Sequence, residues 1–203
     1  MRNGMLIVIS GPSGSGKGTV IKKLTADDKY ALSVSMTTRN ARPGEVDKKD
    51  YFFCTKDEFL KARDDGELLE WAEYCGNFYG TPKKYVEDRI NNGIVVILEI
   101  DTEGAFNIKK TIPETVLMFM LSPTFRDLRT RLADRNSEDE ESIKKRLEIA
   151  QHEITLINNY DYVIINDDVD ETVKKINNII RVESYKPQRC QHVVKNFLLN
   201  IES

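Results

Sequence analysis

The residues best suited to chemistry form a glycine-rich loop directly after the first apolar run of the chain. The loop consists of Gly11, Pro12, Ser13, Gly14, Ser15, Gly16, Lys17, Gly18 and Thr19. Glycines let backbone N–H groups turn inward around an anion, and the lysine adds a positive charge beside the phosphates. A helix that follows aims its N-terminal dipole at the same anion. An ordinary glycine-rich turn is the alternative, but the order of strand, loop, lysine and helix favours a nucleotide-phosphate site.

One position of this loop departs from the usual pattern. The residue after the lysine is normally Ser or Thr, whose hydroxyl binds Mg²⁺. Here it is Gly18, and Thr19 follows one place later. Direct coordination of Mg²⁺ by the loop is therefore not predicted, and the class of enzyme has to be inferred from other residues.

Apolar runs and helical spacing indicate the elements that position the loop. Buried strands are predicted at Met5–Ile9, Ile94–Ile100, Val116–Leu121 and Tyr162–Ile165, with Ala31–Met36 as a weaker candidate. Helices are predicted at Thr19–Leu24, Glu103–Lys110, Phe125–Ala133, Glu138–Ile157 and Val169–Val182, and a terminal helix follows Pro187. This alternation predicts an α/β fold whose parallel sheet is covered by helices on both faces. Two insertions interrupt it after strands, where open α/β sheets bind ligands.

Composition excludes several classes of protein. The 203 residues fit one domain with insertions, and a net charge of −3 argues against a nucleic-acid partner. The three cysteines form no CxxC pair, which suits a reducing cytoplasm, and both histidines are isolated. No apolar run approaches the roughly 20 residues that span a bilayer. We therefore expect a cytoplasmic protein without a membrane partner, and the sequence leaves its oligomeric state open.

Several sequence blocks resemble the guanylate kinase family, and the resemblance runs from Leu6 to about Arg189. The blocks are Ser35–Glu45, Asp50–Phe53, Glu70–Glu73, Gly76–Pro82, Glu99–Asp101 with Gly104–Ala105, and Tyr160–Asp168. The resemblance implies a phosphate-loop core (about 1–36, 93–122 and 151–203), a GMP-binding insertion with a small antiparallel sheet (about 37–92) and a mobile lid (about 123–150). It also implies that ATP, with Mg²⁺ as cofactor, phosphorylates GMP and dGMP in the recycling of guanine nucleotides.

Two arginines and two tyrosines are candidates for the GMP phosphate. Arg39 and Arg42 flank a short loop, and their planar guanidinium forks suit a phosphate dianion better than lysines would. Solvated surface charges are the alternative for the arginines, and a half-buried strand aromatic is the alternative for Tyr51. The resemblance assigns Arg39, Arg42, Tyr51 and Tyr79 to the phosphate.

A predicted hairpin places a candidate base-reading pair on one face. If Gly76 and Asn77 form its turn, Glu70, Tyr79 and Thr81 project from the same side, with Glu70 and Thr81 about 7–8 Å apart as diagonal neighbours. A nucleobase edge would fit between them. The cross-strand pairs would be Cys75 with Phe78, Tyr74 with Tyr79, and Ala72 with Thr81.

The chemistry of that pair favours guanine. A carboxylate only accepts hydrogen bonds, and guanine offers the donors N1–H and N2–H₂ where adenine presents an acceptor. Glu70 would therefore select guanine, while Thr81 and Ser35 donate to O6. A surface carboxylate on a polar strand face is the alternative for Glu70 alone.

The second insertion is rich in arginine. Lys144 and Lys145 have acidic partners four residues earlier, whereas the helical neighbours of Arg146 are Ser142, Ile143, Ile149 and Ala150. An arginine without a local acid is better explained by a distant anion. The resemblance places Arg135 and Arg146 over the transferring phosphoryl group, with Arg131 as a weaker candidate, and such arginines suit phosphoryl transfer under a closing lid.

Carboxylates and an amide follow two predicted strands. Glu99 and Asp101 would point the same way at the carboxyl end of Ile94–Ile100, where a weak, water-mediated Mg²⁺ site is expected. The commoner family form is Asp-Ile-Asp, and the resemblance also places Asp101 on the GMP side. Asn166 and Asp167 resemble the adenine-side contacts of the family, and a simple turn is their alternative.

Two rival functions remain. Another nucleoside monophosphate kinase is disfavoured by Glu70 and Thr81. A non-catalytic guanylate kinase-like domain that binds protein ligands is disfavoured by Lys17, the intact loop glycines, Arg39 and Arg146.

Overall fold

The computed structural model describes residues 4–74, 76–133 and 140–199. In chain order these residues form β1 (Met5–Ser10), α1 (Lys17–Leu24), β2 (Tyr30–Leu32), β3 (Met36–Thr37), β4 (Phe52–Phe53), α2 (Lys56–Asp64), β5 (Leu68–Tyr74), β6 (Asn77–Pro82), α3 (Lys83–Asn91), β7 (Val95–Leu98), α4 (Thr102–Thr111), β8 (Val116–Leu121), α5 (Phe125–Ala133), α6 (Glu140–Thr155), β9 (Tyr162–Ile165), α7 (Val169–Glu183) and α8 (Gln191–Leu199). Short 3₁₀ helices lie at Ile157–Asn159 and Pro187–Arg189. None of these helices is long and apolar enough to cross a membrane.

The larger sheet is parallel throughout and has the strand order β2-β7-β1-β8-β9. Its central strand is β1, where Ile7 pairs with Ile97 on one side and with Val116 on the other. The four main predicted strands are all present. Strand β7 is shorter than predicted, however, because it ends at Leu98 rather than Ile100.

Burial on both faces of β1 explains its continuous apolar sequence. Met5, Ile7 and Ile9 pack in one apolar cluster with residues of α1 and α7. Leu6 and Val8 pack in a second cluster with residues of α3 and α4. The strand that delivers the chain to the glycine-rich loop is therefore fixed from both sides.

The smaller sheet has the order β4-β3-β6-β5, with β3 parallel to β4 and the other pairs antiparallel. The weaker predicted strand Ala31–Met36 was wrong as one element. Its first part lies in β2 of the larger sheet and its last residue begins β3 of the smaller one. The chain passes from the larger sheet to the smaller one between Leu32 and Met36, so the two ends of this segment belong to different sheets.

The predicted hairpin register was also wrong. Tyr74 pairs with Asn77, Glu73 with Phe78 and Ala72 with Tyr79, so the chain turns between Tyr74 and Asn77. Gly76 has φ 75° in the left-handed region that two-residue hairpin turns require. Trp71, Ala72, Glu73 and Tyr74 thus pair two places earlier in β6 than predicted. A shift of two keeps side chains on their predicted faces, because they alternate with period two, but the pairing is irregular between Leu68 and Trp71, where Glu70 lies.

The helices α5 and α6 form a small apolar contact of their own. Leu128 and Leu132 of α5 cluster with Ala150 of α6, and Ile143 and Leu147 pack against them. The predicted bounds of α5 are confirmed. The predicted start of α6 at Glu138 lies outside the described residues. The division into core, insertion and lid stays a prediction.

Candidate active site

The phosphate loop leaves β1 and is held in a conformation that needs glycine. Gly11 has φ 137° and Gly16 has φ 89°, both in the left-handed region. A Cβ on Gly11 would lie 2.1 Å from the Met120 carbonyl oxygen, and one on Gly16 would lie 2.3 Å from Asn166 Nδ2. Close packing against β8 and Asn166 therefore fixes the loop at the carboxyl ends of the strands.

Lys17 is the first residue of α1, and its side chain turns back over the loop. Its Nζ donates to the carbonyl oxygens of Gly11 at 2.5 Å and Pro12 at 3.0 Å. Gly18 leaves open space, because nothing lies within 4 Å of where its Cβ would be, and Thr19 is exposed. The helix start thus presents one ammonium group and no side-chain hydroxyl at position 18.

Asn166 stabilises the phosphate loop through the hydrogen bonds of its side-chain amide. It is 3% exposed, its Nδ2 donates to the Ser15 carbonyl at 2.8 Å, and its Oδ1 accepts from Thr172 Oγ1 at 3.0 Å. Arg131 of α5 donates to the Asn166 carbonyl at 3.3 Å and 3.4 Å. The predicted adenine contact of Asn166 stays a prediction, with its amide already engaged by protein, while Asp167 is exposed.

Helix α6, which lies in the predicted lid, touches the phosphate loop. Arg146 Nη1 donates to Ser13 Oγ at 2.8 Å, so the structure brings together two residues that lie 133 positions apart. Arg135, the other predicted catalytic arginine, lies outside the described residues. A guanidinium at the mouth of a phosphate loop suits the stabilisation of negative charge on a transferring group.

The predicted phosphate site of the insertion contains an internal ion pair. Arg39 makes a two-pronged contact with Glu45, at 2.8 Å and 3.0 Å, and its guanidinium lies 5.3 Å from the Tyr51 ring centroid. The Tyr79 ring is 6.1 Å from Tyr51 and its hydroxyl lies beside Arg39. The carboxylate raises the pKa of Arg39, and the arginine lowers the pKa of Glu45.

Glu45 therefore fills the guanidinium fork in the geometry that a phosphate would use. The sequence interpretation gave Glu45 no role, although it lies only six residues after Arg39. Arg42 joins this loop through its backbone, because its N–H donates to Glu45 Oε2 at 2.7 Å, and its side chain is exposed. The structure thus gathers Arg39, Tyr51 and Tyr79, and it leaves the Arg42 side chain in solvent.

The base-reading pair lies in direct contact. Thr81 Oγ1 donates to Glu70 Oε1 at 2.6 Å, and Thr81 is fully buried. The two side chains do lie on one face, but they hydrogen-bond to each other, so no nucleobase edge fits between them as predicted. Burial raises the pKa of Glu70, the Thr81 bond opposes that shift, and the charge of Asp101 adds to it. Ser35 lies just before β3, where its carbonyl accepts from Phe52 N at 2.8 Å.

The carboxylates after β7 do not form the expected strand pair. Because β7 ends at Leu98, Glu99 and Asp101 lie beyond it, and the alternation argument does not apply to them. Asp101 caps α4, with Oδ1 accepting from Gly104 N at 2.8 Å, and Glu99 is exposed. Among residues 4–74, 76–133 and 140–199, no group of three or more His, Cys, Asp or Glu could hold a metal ion. Asp101 and Glu99 therefore suit an Mg²⁺ ion that is held by the nucleotide phosphates, with either carboxylate in its outer coordination sphere.

A sequence model of the family described as guanylate kinase matches residues 3–183. The chain belongs to the guanylate kinase family. It is 45% identical over 196 residues to guanylate kinase of Oceanobacillus iheyensis, which covers 96% of this chain and 95% of that relative. It is 46% identical over 197 residues to guanylate kinase of Streptococcus thermophilus, covering 96% and 94%. The crystal structure of guanylate kinase from Anaplasma phagocytophilum superposes with a TM-score of 0.74 at 39% identity, covering 93% of this chain and 90% of that one.

Membership of the guanylate kinase family confirms three predictions: the family, the α/β phosphate-loop fold, and an enzyme of the ATP:GMP phosphotransferase class. The roles of individual residues stay predictions. The structure shows in addition two groups that the sequence interpretation missed. Glu153 of α6 lies in the electrostatic reach of Lys17 and Asp101, and burial raises its pKa. Tyr160 packs against Phe119 with ring centroids 4.9 Å apart, and burial raises its pKa to about 12.

Proposed function

We propose that the protein transfers the γ-phosphate of ATP to GMP by in-line displacement and releases ADP and GDP. The observation that carries the proposal is the contact between Arg146 and Ser13, which joins the lid helix to the phosphate loop. Phosphoryl transfer depends chiefly on positioning and on stabilisation of charge. A lid arginine at the loop supplies both and helps to exclude water, which would otherwise accept the phosphate.

The donor site consists of the loop and the start of α1. Backbone N–H groups of Gly11 and of Ser13–Gly16 surround the phosphates, and the helix dipole of α1 points at them. Lys17 exchanges the carbonyl oxygens of Gly11 and Pro12 for phosphate oxygens, which are stronger acceptors because they are charged. Arg146, with Arg135 from the same insertion, then stabilises the transferring group.

The acceptor site consists of the Arg39 fork and the Glu70 pair. The GMP phosphate displaces Glu45 from Arg39 and receives hydrogen bonds from Tyr51 and Tyr79, while Arg42 closes over it from solvent. Glu70 accepts from guanine N1–H and N2–H₂, Ser35 donates to O6, and Thr81 donates to O6 by turning its hydroxyl away from Glu70. We include dGMP as an acceptor, since its base and phosphate are those of GMP.

When Mg²⁺ is bound with ATP, it neutralises part of the negative charge of the phosphates. Asp101 and Glu99 are the residues of this chain that would hold it, through water. A cytoplasmic setting and a role in guanine nucleotide recycling belong to the same proposal.

The proposal is tested by measuring ADP release from ATP with GMP, dGMP, AMP, CMP and UMP in turn. Rapid release with GMP and dGMP, and little with the other three, is the expected result. A folded protein that releases no ADP with any acceptor would instead match the non-catalytic, protein-binding domain. Equal release of ADP with AMP and with GMP would agree with a kinase, but it would contradict the proposal that Glu70 selects guanine.

A further inference from the structure

Ser10 joins two segments that the proposed reaction uses. It is the last residue of β1, it directly precedes Gly11 of the phosphate loop, and it is fully buried. Its Oγ donates to the Ile100 carbonyl oxygen at 2.9 Å and lies 3.4 Å from the Asp101 carbonyl oxygen. The start of the phosphate loop is therefore hydrogen-bonded to the segment that carries Glu99 and Asp101.

This hydrogen bond lies beyond the point where β1 and β7 pair. The register of the two strands ends where Val8 pairs with Leu98, and α4 begins at Thr102. Residues 99–101 thus form a short connection between a strand and a helix, and such connections are held less firmly than the elements they join. The Ser10 hydroxyl extends the link between β1 and this part of the chain past the end of the strand pairing.

Asp101 is fixed in two different ways. Its Oδ1 accepts from Gly104 N at 2.8 Å, which sets the direction of the carboxylate relative to α4. The preceding carbonyl, that of Ile100, accepts from Ser10 and sets the position of the segment relative to the phosphate loop. The Ile100 side chain packs against an apolar cluster of the core. That packing has no preferred direction, whereas a hydrogen bond depends on distance and angle.

We infer that Ser10 is a positioning residue that acts through Asp101 and sets the distance of its carboxylate from the donor phosphates. The inference rests on the proposed roles of the phosphate loop and of Asp101 in binding ATP with Mg²⁺. Misplacement of a reacting group by about 1 Å can cost about a hundredfold in rate. Groups that support the ligands of a metal ion from the outer shell affect metal affinity by about tenfold to a hundredfold.

The test is Ser10→Ala, which removes the hydroxyl and adds no bulk to a buried site. We expect the Mg²⁺ concentration for half-maximal activity to rise about threefold to tenfold, and kcat to fall about tenfold. Titration calorimetry with ADP gives a readout that needs no turnover, because Mg²⁺ should strengthen ADP binding less in the variant than in wild type. The Kd for ADP without Mg²⁺ should stay within about twofold of wild type, since the loop itself is unchanged.

A double-mutant cycle identifies the residue through which Ser10 acts. If that residue is Asp101, Ser10→Ala should change the Mg²⁺ requirement little when Asp101→Asn is already present, so the two effects do not add. Full additivity of the two effects would overturn the inference. A weakening of ADP binding without Mg²⁺ by more than about twofold would also overturn it, because Ser10 would then act on the loop directly.

Thr115→Val is the matched control. Thr115 is 1% exposed, and its Oγ1 is buried without a hydrogen-bond partner among the described residues. It lies just before β8, which runs parallel to β1, so it is at the opposite end of the sheet from Ser10. Loss of this hydroxyl should leave both the Mg²⁺ requirement and ADP binding as in wild type.

A second variant keeps the test decisive if Ser10→Ala does not fold. Ser10→Cys keeps the shape of the side chain, but a thiol is only a weak donor, so its Mg²⁺ requirement should rise in the same direction. A folded variant of either kind with the Mg²⁺ requirement of wild type would show that Ser10 is structural only, and the inference would be wrong. Failure of wild type to bind ADP or to phosphorylate GMP would contradict the proposed function instead.

Discussion

Thr81 Oγ1 donates a 2.6 Å hydrogen bond to Glu70 Oε1 across the β5–β6 hairpin. The bond orients a partly buried carboxylate that would otherwise lack a fixed direction. It also occupies one oxygen of Glu70. As long as the bond is kept, Thr81 can contact the base only next to the Glu70 carboxylate. The proposed selection of guanine therefore involves Glu70 and Thr81 together.

Glu70→Gln should lower kcat/KM for GMP by about ten-fold to a hundred-fold. The lost charge-assisted hydrogen bonds to guanine are each worth about 1.5–3 kcal/mol. The preference over AMP should narrow, because an amide can donate to adenine N1 as well as accept. Steady-state kinetics with both nucleotides check this. Glu73→Gln, on the opposite face of β5 and exposed, should behave as wild type, and a variant at Glu70 that kept its full preference would show that another residue reads the base.

The same substitution should change how stability depends on pH. Burial raises the pKa of Glu70 in the folded state, so the folded protein binds this proton more tightly than the unfolded chain does. Ionised Glu70 therefore costs stability above its raised pKa, and the cost disappears as pH falls through that pKa. Glu70→Gln should be more stable than wild type at pH 8, with the gap closing under acid conditions.

Thermal unfolding of both proteins across pH 4 to 8 measures that gap. Glu73→Gln again serves as the control, and its difference from wild type should stay flat. A gap between Glu70→Gln and wild type that widened on acidification would show that the ionised carboxylate is the stabilising form.

Arg146→Ala should reduce kcat by about a hundredfold or more while leaving the Kd for GMP nearly unchanged. The hydrogen bond from Arg146 to Ser13 places it at the phosphate loop, whereas the proposed site of the GMP phosphate is at Arg39. Single-turnover kinetics and GMP titration separate the two effects. Lys144→Ala, exposed on the same helix, is the control. An increase only in the KM for GMP would move Arg146 to the acceptor site.

Asp101→Asn should raise the Mg²⁺ concentration needed for half-maximal activity by about tenfold. The cap on α4 should survive, because asparagine accepts from the Gly104 N–H as aspartate does. The melting temperature should therefore stay near that of wild type, which separates the metal effect from a structural one. Asp101→Ala should lose both the effect on Mg²⁺ and the cap of α4. Loss of the cap should lower the free energy of unfolding by about 1 kcal/mol. An unchanged Mg²⁺ titration in Asp101→Asn would leave Asp101 as a cap alone.

The sequence by itself determined the four main parallel strands, most of the helices, the phosphate loop and the family, but it did not predict α2 or α3. Strands such as Val116–Leu121 and helices such as Phe125–Ala133 follow from local apolar spacing, which a chain carries in its neighbouring residues. The shared face of Glu70 and Thr81 was also predicted from local alternation, although the pairing of β5 with β6 is irregular between Leu68 and Trp71.

Only the tertiary structure decided which groups meet. It ended β7 at Leu98, divided Ala31–Met36 between two sheets, and placed the amide of Asn166 under the loop. It also brought Arg146 of α6 to Ser13 of the phosphate loop across 133 positions of the chain. Such contacts depend on how separate helices and strands pack against one another and on where burial removes water from charged side chains. No periodicity within one element encodes them, since both partners have to be placed before either can be assigned a neighbour.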